Sequence, residues 1–465
     1  MRTMRSRSVT RGAAAVAGLV LAMTTSSVAV ASAHTSKPHP SPGHSSAASL
    51  APTITHTGKA PTGYTVTFHY VDKSAQRVQL KGEWYFSDPA TLPKLAGSSE
   101  ADVVPSQGVT PANWKPGDVP LAYPNSTAAN WPVVDMKEKG HSGVWSYTTP
   151  LPSGVFNYGF FVDCSATGQV GCTQRTDPNN APWNTAGTGY EIADTSRRSQ
   201  VYVPSDPKFG TVDLSWQAPN AKHGRLTDVA YPAPTSTAPA GHNYLGIYTP
   251  PGYDPKRAKA YPTLYMLAPD DEVAWTTQGD LSNILDNLIA DGEMQPVVLV
   301  TPNIKGFPAS SDSSVFDANL LGSVIPYVES HYNVSTSASQ RAVGGMGNTA
   351  SIVNSLLFDH TAQFGYYGAW GNSDHGPFVL PDAGSVTADQ IAALKKVSIS
   401  VGGGYEDPHH WYHASEISLL SSLGVPVTPE FVLSGHDWYS WRINAKDFLT
   451  RTAFLPLPTG ALTAG

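Results

Sequence analysis

Charge is what this chain has least of. Asp, Glu, Lys and Arg make up 14% of its 465 residues, against roughly a quarter in an ordinary soluble protein. Acids outnumber bases, 36 to 29, and the formal net charge is −7. Such a balance argues against DNA, RNA or an anionic membrane as a partner. Cysteine is nearly missing too, with only Cys164 and Cys172 in the whole chain. Past the first thirty-odd residues no apolar run is long enough to cross a bilayer. Walker-type phosphate loops and dinucleotide fingerprints are also lacking. Gly402-Gly403-Gly404 follows a strand-like run but does not have the G-x-G-x-x-G spacing. No cofactor is implied.

What is present begins with a leader. Arg2, Arg5, Arg7 and Arg11 precede an apolar stretch at residues 13–23, and a small-residue run ends in Ala31-Ser32-Ala33. This is the pattern of a secretory signal, with cleavage expected after Ala33. Loss of those four positive charges takes the net charge from −7 to −11. The expected location is extracellular, which makes a Cys164–Cys172 disulfide the default and its role structural. Residues 34–59 are rich in Pro, Ser, Ala and His without apolar periodicity, and read as a disordered linker.

From Gly63 the pattern becomes period-2 alternation. Tyr64, Val66, Phe68 and Tyr70 fall on one strand face, and Val78 and Leu80 lead into Gly82-Glu83-Trp84. Further strands are expected around Val144-Trp145-Ser146-Tyr147 and Phe156-Asn157-Tyr158, flanking a turn at Leu151-Pro152-Ser153-Gly154. Short strands without helical period predict a β-sandwich over residues 60–205. The V-T-F-x-Y opening, the L-x-G-x-W strand, the P-x-G-x-F-x-Y-x-F hairpin and Asp177-Pro178-Asn179-Asn180 resemble the immunoglobulin-like module that precedes many bacterial esterases, a relative of starch-type carbohydrate-binding modules. Trp84 and Trp145 are expected in the core. Trp114, Trp131 and Trp183 lie in loops and are the candidates for a sugar platform.

From residue 206 to about 458, strands and helices alternate. Tyr244-Leu245-Gly246-Ile247-Tyr248-Thr249 and Pro262-Thr263-Leu264-Tyr265-Met266-Leu267 read as strands, residues 281–290 as a helix, and Val297-Val298-Leu299-Val300-Thr301 as a buried parallel strand. A helix is expected over residues 315–331, a strand at 397–401, a helix at 414–423 and a strand at 427–433. The alternation predicts a doubly wound, mostly parallel sheet whose function lies at the carboxyl ends of its strands. Residues 459–465 are a tail.

Several stretches resemble the putative-esterase branch of the α/β-hydrolases, which includes enterochelin esterases, feruloyl esterases and mycolyltransferases. They are Tyr248-Thr249-Pro250-Pro251-Gly252-Tyr253, Tyr261-Pro262-Thr263-Leu264-Tyr265-Met266-Leu267, Arg341-Ala342-Val343, Phe364-Gly365-Tyr366-Tyr367-Gly368-Ala369 and Gly435-His436-Asp437-Trp438 with Trp441-Arg442. The resemblance implies an α/β-hydrolase fold and a triad whose base falls on His436 and whose acid falls on Asp407. The nucleophile falls on Gly347, where the family's elbow carries serine. Thr349 and Ser351 are the nearest hydroxyls, and neither is expected at the turn. The implied oxyanion-hole region involves Ala268, Pro269, Met346 and Asn348. Here the family's His-Gly is replaced by Ala268-Pro269-Asp270-Asp271, with a proline that has no N–H to donate and two acids that oppose negative charge.

Glu406, Asp407, His409, His410 and His413 crowd together, with His409 and His413 four apart, but the H-E-x-x-H pattern is missing. The expectation is a solvated loop without metal. Taken together, the residues point to a degenerate esterase relative that binds a glycan or small ester-like ligand. The alternative is an active ester hydrolase or acyltransferase with a non-standard site, acting on siderophore, cell-envelope or polysaccharide esters.

Overall fold

The computed structural model describes residues 50–88, 108–121, 132–164, 172–180, 199–269, 271–308, 312–372 and 376–458. The leader, residues 34–49 of the expected linker, Trp131, Trp183 and the tail lie outside the described residues.

The described residues of the first half build two four-stranded antiparallel sheets and a two-stranded one, Phe86–Ser87 with Val119–Pro120. One four-stranded sheet runs in the order Thr53–His56, Tyr64–Val71, Val144–Pro150, Lys137–Glu138; the other runs Ser199–Val203, Gly154–Val162, Val78–Gly82, Val133–Asp135. Alternation builds the core between them. Val66, Phe68 and Tyr70 point inward from one strand and meet Leu80, Trp84, Trp145, Tyr158 and Phe160. Trp84 and Trp145 are core residues, as expected. Trp114 is one as well, only 6% exposed, and is not the open loop residue expected. Its loop position concealed that the loop folds onto the sandwich. Cys164 and Cys172 are joined by a disulfide. One strand forms within the stretch expected to be linker: Thr53–His56 pairs antiparallel with Tyr64–Thr67. All four of its residues are exposed, so backbone hydrogen bonds hold it and no apolar pattern announces it.

The second half is built on an eight-stranded sheet, whose strands we number β1 (Arg225–Thr237), β2 (Ala240–Thr249), β3 (Thr263–Leu267), β4 (Val298–Pro302), β5 (Arg341–Met346), β6 (Tyr366–Trp370), β7 (Ser398–Gly404) and β8 (Thr428–Val432). Their spatial order is β1-β2-β4-β3-β5-β6-β7-β8. Strand β2 is antiparallel to both neighbours, and every pairing from β4 to β8 is parallel. This is the doubly wound, mostly parallel sheet expected from the alternation of strands and helices.

The near-continuous apolar strands have a simple cause: both faces are covered. In β3, Tyr265 and Leu267 enter one core while Leu264 and Met266 enter the other. In β4, Val298 and Val300 take the first core and Leu299 the second. The helices used below are α1 (Leu281–Ala290), α2 (Asn348–Asp359), α3 (His410–Ser422) and α4 (Trp438–Arg451). The helix expected over 315–331 is helical throughout but interrupted, with a π-helical turn at Leu320–Val324 between Ser314–Asn319 and Ile325–His331. Pro326 stands at the start of the last piece and has no N–H to continue an α-helical ladder.

Arg442 of α4 ties the halves together. Its Nη1 donates to the Val155 carbonyl at 2.8 Å and its Nη2 to the Gln278 carbonyl. Gln200 also donates to the Gln278 carbonyl, and the Val155 N–H donates to the Gln217 side chain.

Candidate functional site

Strand β5 runs into α2 through a single residue, Gly347, at φ 57° and ψ −135°. The combination lies outside the ordinary left-handed region, and a side chain there would be strained. Backbone bonds define the turn. The Gly347 N–H donates to the Trp370 carbonyl at the end of β6, and its own carbonyl accepts from Ala350. Thr349 stitches it from within, its hydroxyl donating to the carbonyls of Leu267 and Met346 at 2.9 and 2.8 Å and accepting from the Met346 N–H. Strand β3 and the elbow are therefore fastened by one buried side chain.

The loops after β7 and β8 bring the other two residues to this point. Tyr405 and Glu406 donate backbone bonds to Val432 and Ser434, laying one loop along the other. Asp437 caps α4: its carboxylate accepts from the Ser440 N–H at 2.7 Å, from the Ser434 hydroxyl at 2.6 Å and from the Gly435 N–H. His436, one residue earlier, is thus held from behind. Its Nδ1 lies 2.8 Å from Asp407 Oδ2. The far nitrogen faces the elbow, since a Cβ built on Gly347 would sit 3.7 Å from His436 Nε2 and 3.9 Å from Cε1. Asp407, His436 and Gly347 are brought together as the resemblance implies, with no oxygen at the glycine.

Asp407 is fully buried and its second oxygen accepts from the His409 N–H. Burial pushes its pKa up, but the charge of His436 and the neighbouring imidazoles outweigh this and hold it well below the usual carboxylate range. The Trp441 ring meets the His436 ring edge-on at 4.9 Å. Gly371 makes this packing possible: a Cβ there would lie 2.7 Å from Trp441 Nε1 and 3.4 Å from Asp407 Oδ2. Trp441, Asp437 and Gly371 were not singled out by role in the sequence, although the first two belong to the Gly435–Arg442 stretch. The signal for Asp437 was there, a lone acid immediately before a helix.

The remaining candidates divide. Thr349 and Ser351 are both wholly buried; the Ser351 hydroxyl bonds the Phe378 backbone in both directions, and Thr349 is engaged in the elbow. In the oxyanion-hole region Ala268 is buried and Pro269 half-buried, while the Met346 N–H is taken by Thr349. Asn348 opens α2 and is exposed. Asp270 lies outside the described residues, and the Asp271 carboxylate accepts from the Val273 N–H within a turn. The histidine-rich segment is not the solvated loop expected. It runs from a turn at residues 405–409 into the start of α3 at His410, and His413 is wholly buried with Nε2 4.0 Å from Asp407 Oδ2. Tyr412, Glu416 and Leu420 are the other buried residues of the helix. Among the described residues no group of three or more His, Cys, Asp or Glu is placed to hold a metal ion, and no helix is long and apolar enough to cross a membrane.

No protein-family model matches the chain. Among curated proteins it is 23% identical over 261 residues to an endo-1,4-beta-xylanase/feruloyl esterase of Xylanibacter ruminicola, covering 53% of this chain and 33% of that protein. It is 29% identical over 166 residues to endo-1,4-beta-xylanase Y of Acetivibrio thermocellus, covering 32% of this chain and 15% of that one. The chain thus spans a third or less of the length of these relatives. Among solved structures, the enterobactin esterase of Shigella flexneri matches with TM-score 0.49 and 15% identity over 86% of this chain and 95% of that one. A ferulic acid esterase of Anaeromyces mucronatus matches with TM-score 0.46 and 16% identity over 52% and 96%. The chain is similar to the esterase branch of the α/β-hydrolases, with glycine at the turn between β5 and α2.

Proposed function

We propose that this is a secreted, esterase-related protein that has lost acyl-enzyme chemistry and binds an ester-like or glycan ligand. In this reading residues 1–33 are a cleaved leader and residues 60–205 an immunoglobulin-like module ahead of the hydrolase domain at 206–458. The observation that carries the reading is Gly347. It stands in elbow geometry beside His436 Nε2 and has no atom able to attack a carbonyl. The hydroxyls nearest in sequence are committed to backbone partners. The site's second electrostatic element is weakened by Pro269, which has no N–H for an oxyanion. The curated relative's name makes an aromatic ester of a plant polysaccharide the first ligand class to test.

A second reading rests on the preserved Asp407–His436 pair. A base aimed at the elbow is placed to take a proton from water as that water adds to an ester carbonyl, giving slow hydrolysis with no covalent intermediate. Steady-state hydrolysis of methyl ferulate and p-nitrophenyl acetate, by the native chain and by His436→Ala, separates the two. The first reading expects equal, background rates. Turnover that disappears in His436→Ala supports the second and overturns the first.

A further inference from the structure

A second candidate site, outside the triad, lies where the two halves of the chain meet. A crevice of about 320 Å³ opens between the sandwich and the loop and helix that follow β8. None of Gly347, Asp407 or His436 lines it. Its walls are mostly apolar and largely aromatic: Phe86, Trp114 and Phe156 from the sandwich, Trp438 from α4, with Leu433 beside the opening. Leu433 is 48% exposed. The volume is that of a small-molecule site. A dry cavity of about 150 Å³ already holds benzene, so this one admits a ring with substituents.

Three buried donors of crevice residues have no hydrogen-bond partner among the described residues: the Trp114 indole N–H, the Ser153 hydroxyl and the Arg442 Nε–H. These residues are between 3% and 6% exposed. Buried polar groups are almost always paired, and an unpaired one costs about 1–3 kcal/mol. Three of them around a single cavity mark a place for acceptor oxygens. The charge pattern narrows the ligand. The Arg442 guanidinium already faces Asp280, Glu83 and Asp437, so a further anion gains little there. We infer that the crevice is a binding site for a small, uncharged aromatic molecule carrying hydroxyl or carbonyl oxygens, separate from the triad. The two sites share an indole wall, since Trp438 packs on Trp441 at 5.1 Å and Trp441 on His436 at 4.9 Å.

The test is isothermal titration of the native chain with 4-hydroxybenzamide, an uncharged ring with a phenol and a carbonyl that is not an ester. Saturable one-to-one binding is expected. Trp114→Phe keeps the ring and removes the donor, and weakens binding about fivefold, the effect of one net hydrogen bond. Leu433→Trp, at an exposed position that does not threaten the fold, blocks the opening and abolishes binding. His436→Ala leaves it unchanged. Absence of binding at millimolar ligand overturns the inference. So does binding indifferent to Leu433→Trp, binding lost in His436→Ala, or xylotriose binding in place of the aromatic probe.

Discussion

At the scale of single residues, Gly347 carries the proposed loss of acyl-enzyme chemistry. Its backbone keeps the geometry of a strained elbow although nothing with a side chain occupies it, so strain and chemistry are separable here. Gly347→Ala and Gly347→Ser should each lower unfolding free energy by about 1–3 kcal/mol, the range for a non-glycine residue in a sparsely populated φ/ψ region; urea denaturation measures it. The space next to the Cα position is open. The serine variant therefore brings a hydroxyl within reach of His436 Nε2, and alone of the two should react with a fluorophosphonate. Equal stability of all three proteins would contradict the backbone reading. Asp407 and His436 were named from the resemblance of their loops to the esterase branch, and the fold sets the two side chains in contact. Trp114 and His413 were not, because aromatic and polar residues in loop-like sequence carry no signal of what will fold over them.

Elements hold the Asp407–His436 pair in place. The elbow, the β7 loop and the β8 loop are held by bonds that have nothing to do with catalysis. Thr349 closes three of them with one hydroxyl. Thr349→Val keeps the volume and removes these bonds, while the Leu267 carbonyl keeps the Trp275 indole N–H, and should cost about 1–3 kcal/mol, read by urea denaturation. Asp437→Ala removes the α4 cap and should cost about 1–2 kcal/mol. It should also loosen the His436 loop, seen as faster amide exchange at Gly435 and Ser440, which now donate to that carboxylate. The parallel strands were readable from their apolar runs, since two cores demand apolar residues on both faces. Helix α1 fell where its pattern placed it, at Leu281–Ala290. The π-helical turn and the edge strand Thr53–His56 were not readable, because both are set by backbone pairing, which leaves no mark on hydropathy.

In the whole molecule, buried acids set the response to pH. Burial is the leading cause in each case, and it pushes the carboxyls of Glu272 and Glu416 up to about 8 and those of Asp280 and Glu430 up to about 7. Folded-state values above the unfolded ones mean that the folded chain holds more protons. The associated stability is complete below the unfolded carboxyl value, near 4, and is lost as pH rises towards 8. Asp407 has the opposite sign: its contribution is present above the unfolded value and is lost only in acid. Thermal midpoints should therefore fall between pH 5 and pH 8. Glu416→Gln, which copies the protonated form, should flatten that fall by on the order of 2 kcal/mol. A midpoint that rises over this range would contradict the assignment.

The central claim concerns covalent chemistry, and intact-mass spectrometry tests it most directly. The native chain is incubated with a fluorophosphonate, beside Gly347→Ser and His436→Ala. The account predicts no adduct on the native chain or on His436→Ala, and one adduct per molecule on Gly347→Ser. Stoichiometric labelling of the native protein at any hydroxyl, lost in His436→Ala, would contradict it.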